Sequence, residues 1–279
     1  MHSIKNLKNE NIFESLSKEK TKGERKLKKL EGKIAIVTGG GRGIGKAIAE
    51  AYAKYGAKVI VTSAINKAEI EETASKINGL AVLADITKRK DVENLVDNVL
   101  QKFGRIDILV NNAARGMLFV NRSFMTKVLP FWEMDKEKWQ MVINTNINGT
   151  YLMTTAVIPH MLKQKAGKII NVSINSATMT RKGFSPYGPS KAAFDAMSTI
   201  WAQELEGTGI TLNIILPGGA TETGMIPSEF PEDRRQQLLR PDVIAPVAVY
   251  LASEESEKIN GQKFIAVDWN TERNIKTEN

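Results

Sequence analysis

The sequence predicts a doubly wound α/β domain built on a seven-stranded parallel sheet, and three observations carry that prediction. Short β-branched runs alternate with segments whose apolar residues recur at helical spacing. The first run ends in a glycine-rich turn that opens a helix. The alternation then continues with no linker, repeat or low-complexity tract after residue 33. With 279 residues and 42% apolar composition, the chain can bury one substantial core.

Residues 33–38 read as a buried strand, because Ile34, Ala35, Ile36 and Val37 form an apolar run closed by glycines. Residues 44–55 show helical spacing, Gly56 closes them, and 58–62 form a second β-branched run, which completes a βαβ unit. A helix at 67–77, a strand at 81–84, a helix at 92–103 and a strand at 106–110 follow. The second half repeats the logic with a helix at 139–163, a strand at 168–172, a helix at 189–206, and strands at 211–216 and 261–267. Strands interleaved with helices imply parallel pairing with both faces covered.

Residues 1–31 form a basic extension ahead of one domain at 32–279. Residues 1–33 hold nine Lys and one Arg against five Glu, so most of the net charge of +8 sits there. Phe13 is the only aromatic in that stretch, which lacks the aromatic interleaving of a nucleic-acid surface, and no nucleic-acid partner is expected. No apolar run reaches the ~18 residues of a membrane span, and the N-terminal stretch lacks the apolar region of a secretory signal. The expected location is the cytoplasm, without membrane attachment. The absence of cysteine excludes a disulfide framework, a thiolate metal site and a cysteine nucleophile, and His2 and His160 are too few for a histidine metal site.

The turn Thr38-Gly39-Gly40-Gly41-Arg42-Gly43-Ile44-Gly45 lets the backbone bend sharply and approach a pyrophosphate, while the following helix offers free N–H groups to the anion. Further landmarks follow in order: Asp85 after the third strand, Asn111-Asn112-Ala113-Ala114 after the fourth, Asn146 in Asn146-Ile147-Asn148-Gly149, Tyr187-Gly188-Pro189-Ser190-Lys191, and Pro217-Gly218 after the sixth. This series resembles the short-chain dehydrogenase/reductase family over residues 32–268. The resemblance implies a single-domain Rossmann-like fold, a bound NADP or NAD, a small carbonyl or alcohol substrate, and a homodimer or homotetramer. It places Gly39, Gly41, Arg42, Gly43, Ile44, Gly45, Ser63, Asp85, Ile86, Asn112, Ala113, Tyr187, Lys191, Pro217, Gly218, Ala220 and Thr223 at the cofactor, with Asp85 near the adenine.

NADP is favoured over NAD. The second strand runs into Ser63 and Ala64 without the acid that holds a ribose diol, and Arg42 resembles the basic residue that meets a 2′-phosphate. Ala64 stands where many NADP users carry a second arginine, which weighs the other way.

Tyr187 and Lys191 are four residues apart at the start of a predicted helix, so their side chains share one face. An ammonium beside a phenol stabilises phenolate and lowers its pKa, which suits proton exchange with a substrate oxygen. The resemblance adds that Lys191 meets the nicotinamide ribose and that Asn146 supports a water chain to it. The family's carbonyl-polarising serine falls on Ile174 here. Ser173, which directly follows the fifth strand, is the first candidate for that role. Ser176, Asn175 and the absence of any hydroxyl donor remain alternatives, and one such donor is worth roughly 10² to 10³ in rate.

Residues 115–139 form a stretch longer than is usual for the family, rich in Met117, Phe119, Phe124, Phe131 and Trp132; a substrate lid and a subunit interface fit it equally. Arg181 and Lys182 read as a solvated loop or as an anion contact. Residues 225–240 fall where the family carries a substrate loop, and mobility is expected there. The sequence thus points to an NAD(P)(H)-dependent oxidoreductase interconverting a secondary alcohol and a ketone, with Asn146, Ser173, Tyr187 and Lys191 as its catalytic set. The alternative is a catalytically silent nucleotide-binding regulatory or scaffold protein on the same fold.

Overall fold

The computed structural model describes residues 28–275. Seven parallel strands form one sheet, as the sequence predicts, and their order is β3-β2-β1-β4-β5-β6-β7. They are β1 (Ile34–Thr38), β2 (Lys58–Ser63), β3 (Leu80–Leu83), β4 (Ile108–Asn111), β5 (Gly167–Val172), β6 (Ile210–Leu216) and β7 (Lys263–Ile265). The principal helices are α1 (Gly43–Lys54), α2 (Lys67–Lys76), α3 (Arg89–Phe103), α4 (Lys136–Ile143), α5 (Thr150–Gln164), α6 (Tyr187–Glu204), α7 (Ala245–Ala252) and α8 (Ala266–Glu272). The order reverses between β1 and β4, whose register pairs Ile36 with Leu109. Such a switch point opens a crevice at the carboxyl ends of the strands.

Side-chain alternation along the strands builds two cores. Ala35, Val37, Val59, Val61 and Val110 pack with α1, α7 and α8 on one face. Ile36, Ile60, Leu109 and Ile169 pack with α3 and α5 on the other. Among the described residues no helix is long and apolar enough to cross a membrane, and no cluster of metal-binding side chains occurs.

Several boundaries differ from those predicted. β4 starts at Ile108, because the Ile106 backbone pairs with the Gln164 side chain, donating to Oε1 at 3.2 Å and accepting from Nε2 at 2.9 Å. The last strand ends at Ile265, where α8 takes over. The helix expected at 139–163 begins at Lys136, capped by Asp135 Oδ1, which accepts from the Glu137 and Lys138 N–H groups at 2.8 and 3.0 Å. It also widens into a π turn at Asn144–Gly149 between α4 and α5. Of the expected 1–31 extension, residues 1–27 lie outside the described residues. Its last four residues join the domain: Leu30 is fully buried, and its N–H donates to the Tyr55 carbonyl at 2.9 Å.

Candidate active site

The glycine turn is shaped by what a side chain would hit. Gly39 and Gly43 take left-handed φ angles of 65° and 53°. A Cβ on Gly45 would stand 2.3 Å from the Gly39 carbonyl oxygen and 2.5 Å from Asn112 Nδ2. Two side chains staple the turn to β4. The buried Thr38 Oγ1 donates to the Val110 carbonyl at 3.1 Å and accepts from the Asn112 and Ala113 N–H groups at 3.0 and 3.1 Å. Asn112 Nδ2 donates back to the carbonyls of Thr38 at 2.9 Å and Gly39 at 3.2 Å. α1 then begins with no side-chain cap and no acid in its first turn, leaving its N–H groups and positive dipole end available to an anion.

A cavity of about 250 Å³ follows this edge of the sheet. Of the expected cofactor positions, Gly39, the run 41–45, Ser63, Asp85, Ile86, Asn112, Ala113 and Thr223 line it; Pro217, Gly218 and Ala220 do not, and neither do Tyr187 and Lys191. Asp85 is held by Thr87, whose N–H and Oγ1 donate to its Oδ1 at 3.0 and 2.8 Å. Sequence reasoning missed an acid here. Glu69 of α2 enters the cavity, with its Oε1 3.5 Å from Arg42 Nη1 and its Oε2 accepting from Asn66 Nδ2 at 3.0 Å. Inspection of the end of β2 could not find it, because the following helix carries it back to the cleft.

Asn146 sits in the π turn and is almost fully buried. Its Oδ1 accepts from the Arg115 N–H at 2.8 Å, and its Nδ2 donates to the Arg115 carbonyl at 3.1 Å and to Ser190 Oγ at 2.9 Å. Ser190 in turn donates to the Tyr187 carbonyl at 2.7 Å. Asn146 therefore ties the strand β4 loop to the helix that starts at Tyr187.

Lys191 is buried on that helix, its Nζ donating to the Val172 carbonyl at 2.7 Å. Burial pulls its pKa down to about 8, opposed by the negative charge of Asp195. The half-buried Tyr187 packs against the cluster of Met117, Val120, Val142 and Phe184, and loss of water pushes its phenol up to about 12. This corrects one expectation. The ammonium does not depress the phenol here, since Lys191 serves a β5 carbonyl and desolvation governs both groups.

Ser173 is almost fully buried and, like Tyr187 and Lys191, does not line the cavity beside the glycine turn. Its Oγ donates to the Asp195 carboxylate, which also receives Lys263 of β7, so the single hydroxyl proton is committed inside the fold. Asn175 caps the helical turn Ser176–Met179 with Oδ1, accepting from Thr178 N–H at 2.9 Å, and its Nδ2 has no partner among the described residues. Ser176 is exposed.

The long segment after β4 divides its apolar residues. Met117 and Val120 are buried in a cluster with Val142 and Phe184, and Phe119, Phe124, Met134 and Tyr187 all pack against it. Phe131 and Trp132 stand outside at 70% and 73% exposure. The guanidinium of the exposed Arg181 lies over the Phe184 ring at 4.9 Å, and Lys182 is exposed. The 225–240 segment is tied at its root, where Leu239 N–H donates to the Ala220 carbonyl at 2.8 Å and Arg235 pairs with Glu222 at 2.6 Å.

Known proteins share this fold. A family model described as short chain dehydrogenase matches residues 33–234. The chain is 36% identical over 254 residues to a 3-oxoacyl-[acyl-carrier-protein] reductase FabG of Thermotoga maritima, covering 86% of this chain and 98% of that one. It is 33% identical to glucose 1-dehydrogenase 2 of Bacillus subtilis, covering 84% and 93%. Among solved structures, a short chain dehydrogenase of Shigella flexneri complexed with NADP superposes with a TM-score of 0.76 at 30% identity, covering 86% and 99%. A 3-ketoacyl-(acyl-carrier-protein) reductase of Brucella melitensis complexed with NADH gives 0.75 at 33%, covering 85% and 97%. With the glycine turn, the Asn146 clamp and the Tyr187–Lys191 helix carried on a shared fold, the chain belongs to the short-chain dehydrogenase family of oxidoreductases.

Proposed function

We propose that this protein interconverts a secondary alcohol and a ketone by hydride transfer, preferring NADP(H), with Tyr187 carrying the proton. The observation that supports this most directly is the clamp through Asn146 and Ser190, which fixes the start of α6 beside a cleft edged by a glycine-rich turn and uncapped helix N–H groups. Those groups fit a dinucleotide: the backbone of residues 39–45 and the N-terminus of α1 would hold its pyrophosphate. When bound, the nicotinamide supplies or accepts the hydride. In reduction, the Tyr187 hydroxyl gives its proton to the carbonyl oxygen, and Lys191, anchored on the Val172 carbonyl, would hold the nicotinamide ribose. Asn175 Nδ2 or the Ser176 hydroxyl polarises the carbonyl in preference to Ser173, whose proton goes to Asp195.

Two neighbours complexed with NADP and NADH bracket the cofactor choice. Arg42 beside Ser63 favours NADP, with Glu69 as the opposing charge. Exposed Tyr151, Leu162 and Ile200 on α5 and α6 support a homo-oligomer, to be checked by sedimentation. A silent nucleotide-binding protein is the second reading, favoured by Ile174 at the serine position and by the committed Ser173. A panel of ketones and alcohols followed by nicotinamide absorbance separates the two. Tyr187→Phe should lower turnover by about 10² to 10⁴ with nucleotide affinity nearly kept. Wild-type turnover in that variant would remove Tyr187 from the mechanism.

A further inference from the structure

A second cavity, of about 390 Å³, opens beside the dinucleotide cleft and shares Arg42, Arg115, Gly224 and Met225 with it. Its outer wall comes from the long segment after β4, through Phe119 and Arg122, and from Glu229 across the opening. Three guanidinium groups therefore face this space against one carboxylate. Arg42 is partly neutralised by Glu69, but neither Arg115 nor Arg122 has a carboxylate within 4.0 Å among the described residues. Six of the ten arginines among the described residues have acids, Arg42, Arg89, Arg105, Arg235, Arg240 and Arg273; of the four that do not, Arg115 and Arg122 line this one cavity.

Arg115 is also held in advance of any ligand. Its backbone is clamped on both sides by Asn146, at 2.8 and 3.1 Å. Its Nε donates to Thr145 Oγ1 at 3.1 Å, and its guanidinium rests on the Phe119 ring at 4.5 Å. Among the described residues its two terminal nitrogens have no hydrogen-bond partner. A cation fixed at the backbone and at Nε loses little freedom on binding, and a planar fork suits the two oxygens of a carboxylate or phosphate. Phe119 and Tyr187 both pack against the cluster of Met117, Val120, Val142 and Phe184, so one apolar body carries the platform of this cation and the phenol.

We propose that Arg115, assisted by Arg122, binds an oxyanion carried by the substrate, so that the preferred substrate is an anionic carbonyl compound or alcohol. The substrate half of this statement rests on the oxidoreductase reading above; the anion site itself does not. The shared chemistry is a terminal oxyanion, either carboxylate or phosphate. Phe119 and Met225 give the same cavity an apolar lining that suits a short carbon chain beside the anion.

The test is direct binding to the NADPH-saturated protein, titrated by calorimetry with inorganic phosphate in one arm and acetate in the other at constant ionic strength. Saturable binding of at least one probe is expected, weakened about tenfold in Arg122→Gln and further in Arg115→Gln. NADPH affinity should stay within about twofold in Arg122→Gln, whose side chain lies outside the dinucleotide cleft. The stronger arm identifies the anion. Absence of saturable binding in both arms overturns the site, as does binding that both variants leave unchanged or a matching loss of NADPH affinity in Arg122→Gln. Should Arg115→Gln fail to fold, Arg122→Gln still decides. Because no turnover is measured, a negative result here is distinct from failure of the Tyr187 mechanism.

Discussion

The nucleotide half of the cleft and the substrate half are built from different materials. Around the first, between β1 and β4, the contacts belong to backbone and to short polar side chains fixed by strand ends, such as Thr38 and Asn112. Around the second, long side chains from residues 115–139 and 173–187 set the shape, and their orientation follows from tertiary packing. The first half tolerates almost no change of side chain, whereas the second can be re-tailored without disturbing the sheet. This is the physical basis for one fold serving many substrates.

That contrast can be broken most forcefully at Gly45. Gly45→Val puts atoms into the space already taken by the Gly39 carbonyl and Asn112, and should abolish measurable nucleotide binding while costing about 1–3 kcal/mol of stability. Retained NADPH affinity, read by fluorescence titration, would show that the turn can shift and that the rigid half is softer than described.

In the substrate half the polarising donor provides the next test. Asn175→Asp keeps the helix cap through Oδ1 but removes the Nδ2 donor, and should lower kcat by roughly 10². Ser173→Ala should leave kcat within about threefold and instead cost about 1–3 kcal/mol in denaturant unfolding, because it strips a partner from the Asp195 carboxylate. The reverse pattern would restore Ser173 to the reaction.

The pH dependence links the halves through Lys191. Its charge is present below its pKa of about 8 and is lost above it, while the phenol, at about 12, stays protonated throughout. Reductive kcat/KM should therefore be level near neutrality and fall about tenfold per pH unit above pH 8. Asp195 favours the charged lysine, so Asp195→Asn should move this limb to lower pH. A profile flat to pH 10 would remove Lys191 charge from the rate law.

The smallest effect concerns cofactor choice. Glu69 is partly exposed and shares Arg42 at 3.5 Å, so Glu69→Gln should tighten NADPH binding by about two- to fivefold, with little change for NADH. Arg42→Ala should weaken NADPH more than NADH. Equal changes for both nucleotides would place the phosphate elsewhere.

The sequence by itself determined the sheet, its strand count, the glycine turn and the positions of Asn146, Tyr187 and Lys191. The sheet and the turn depend on local rules: short apolar β-branched runs for strands, helical spacing for helices, and glycine wherever the backbone must turn left or pass close; Asn146, Tyr187 and Lys191 were legible through the ordered motifs that resemble the family. Element ends were less legible, as at Ile106, because a distant Gln164 side chain takes its backbone bonds. What only the tertiary structure decided were the partners of single side chains. Ser173 looked free at the end of β5, yet Asp195 and Lys263 arrive from α6 and β7 to take its proton. Glu69, to which the sequence assigned nothing beyond the helix at 67–77, reaches the cleft beside Arg42. Lys191 has the spacing to serve Tyr187 and instead meets Val172, since a buried ammonium takes the nearest unshared carbonyl when water is excluded. Spacing along a chain fixes which face a residue occupies; the direction of one proton or one charge depends on groups that only folding brings near.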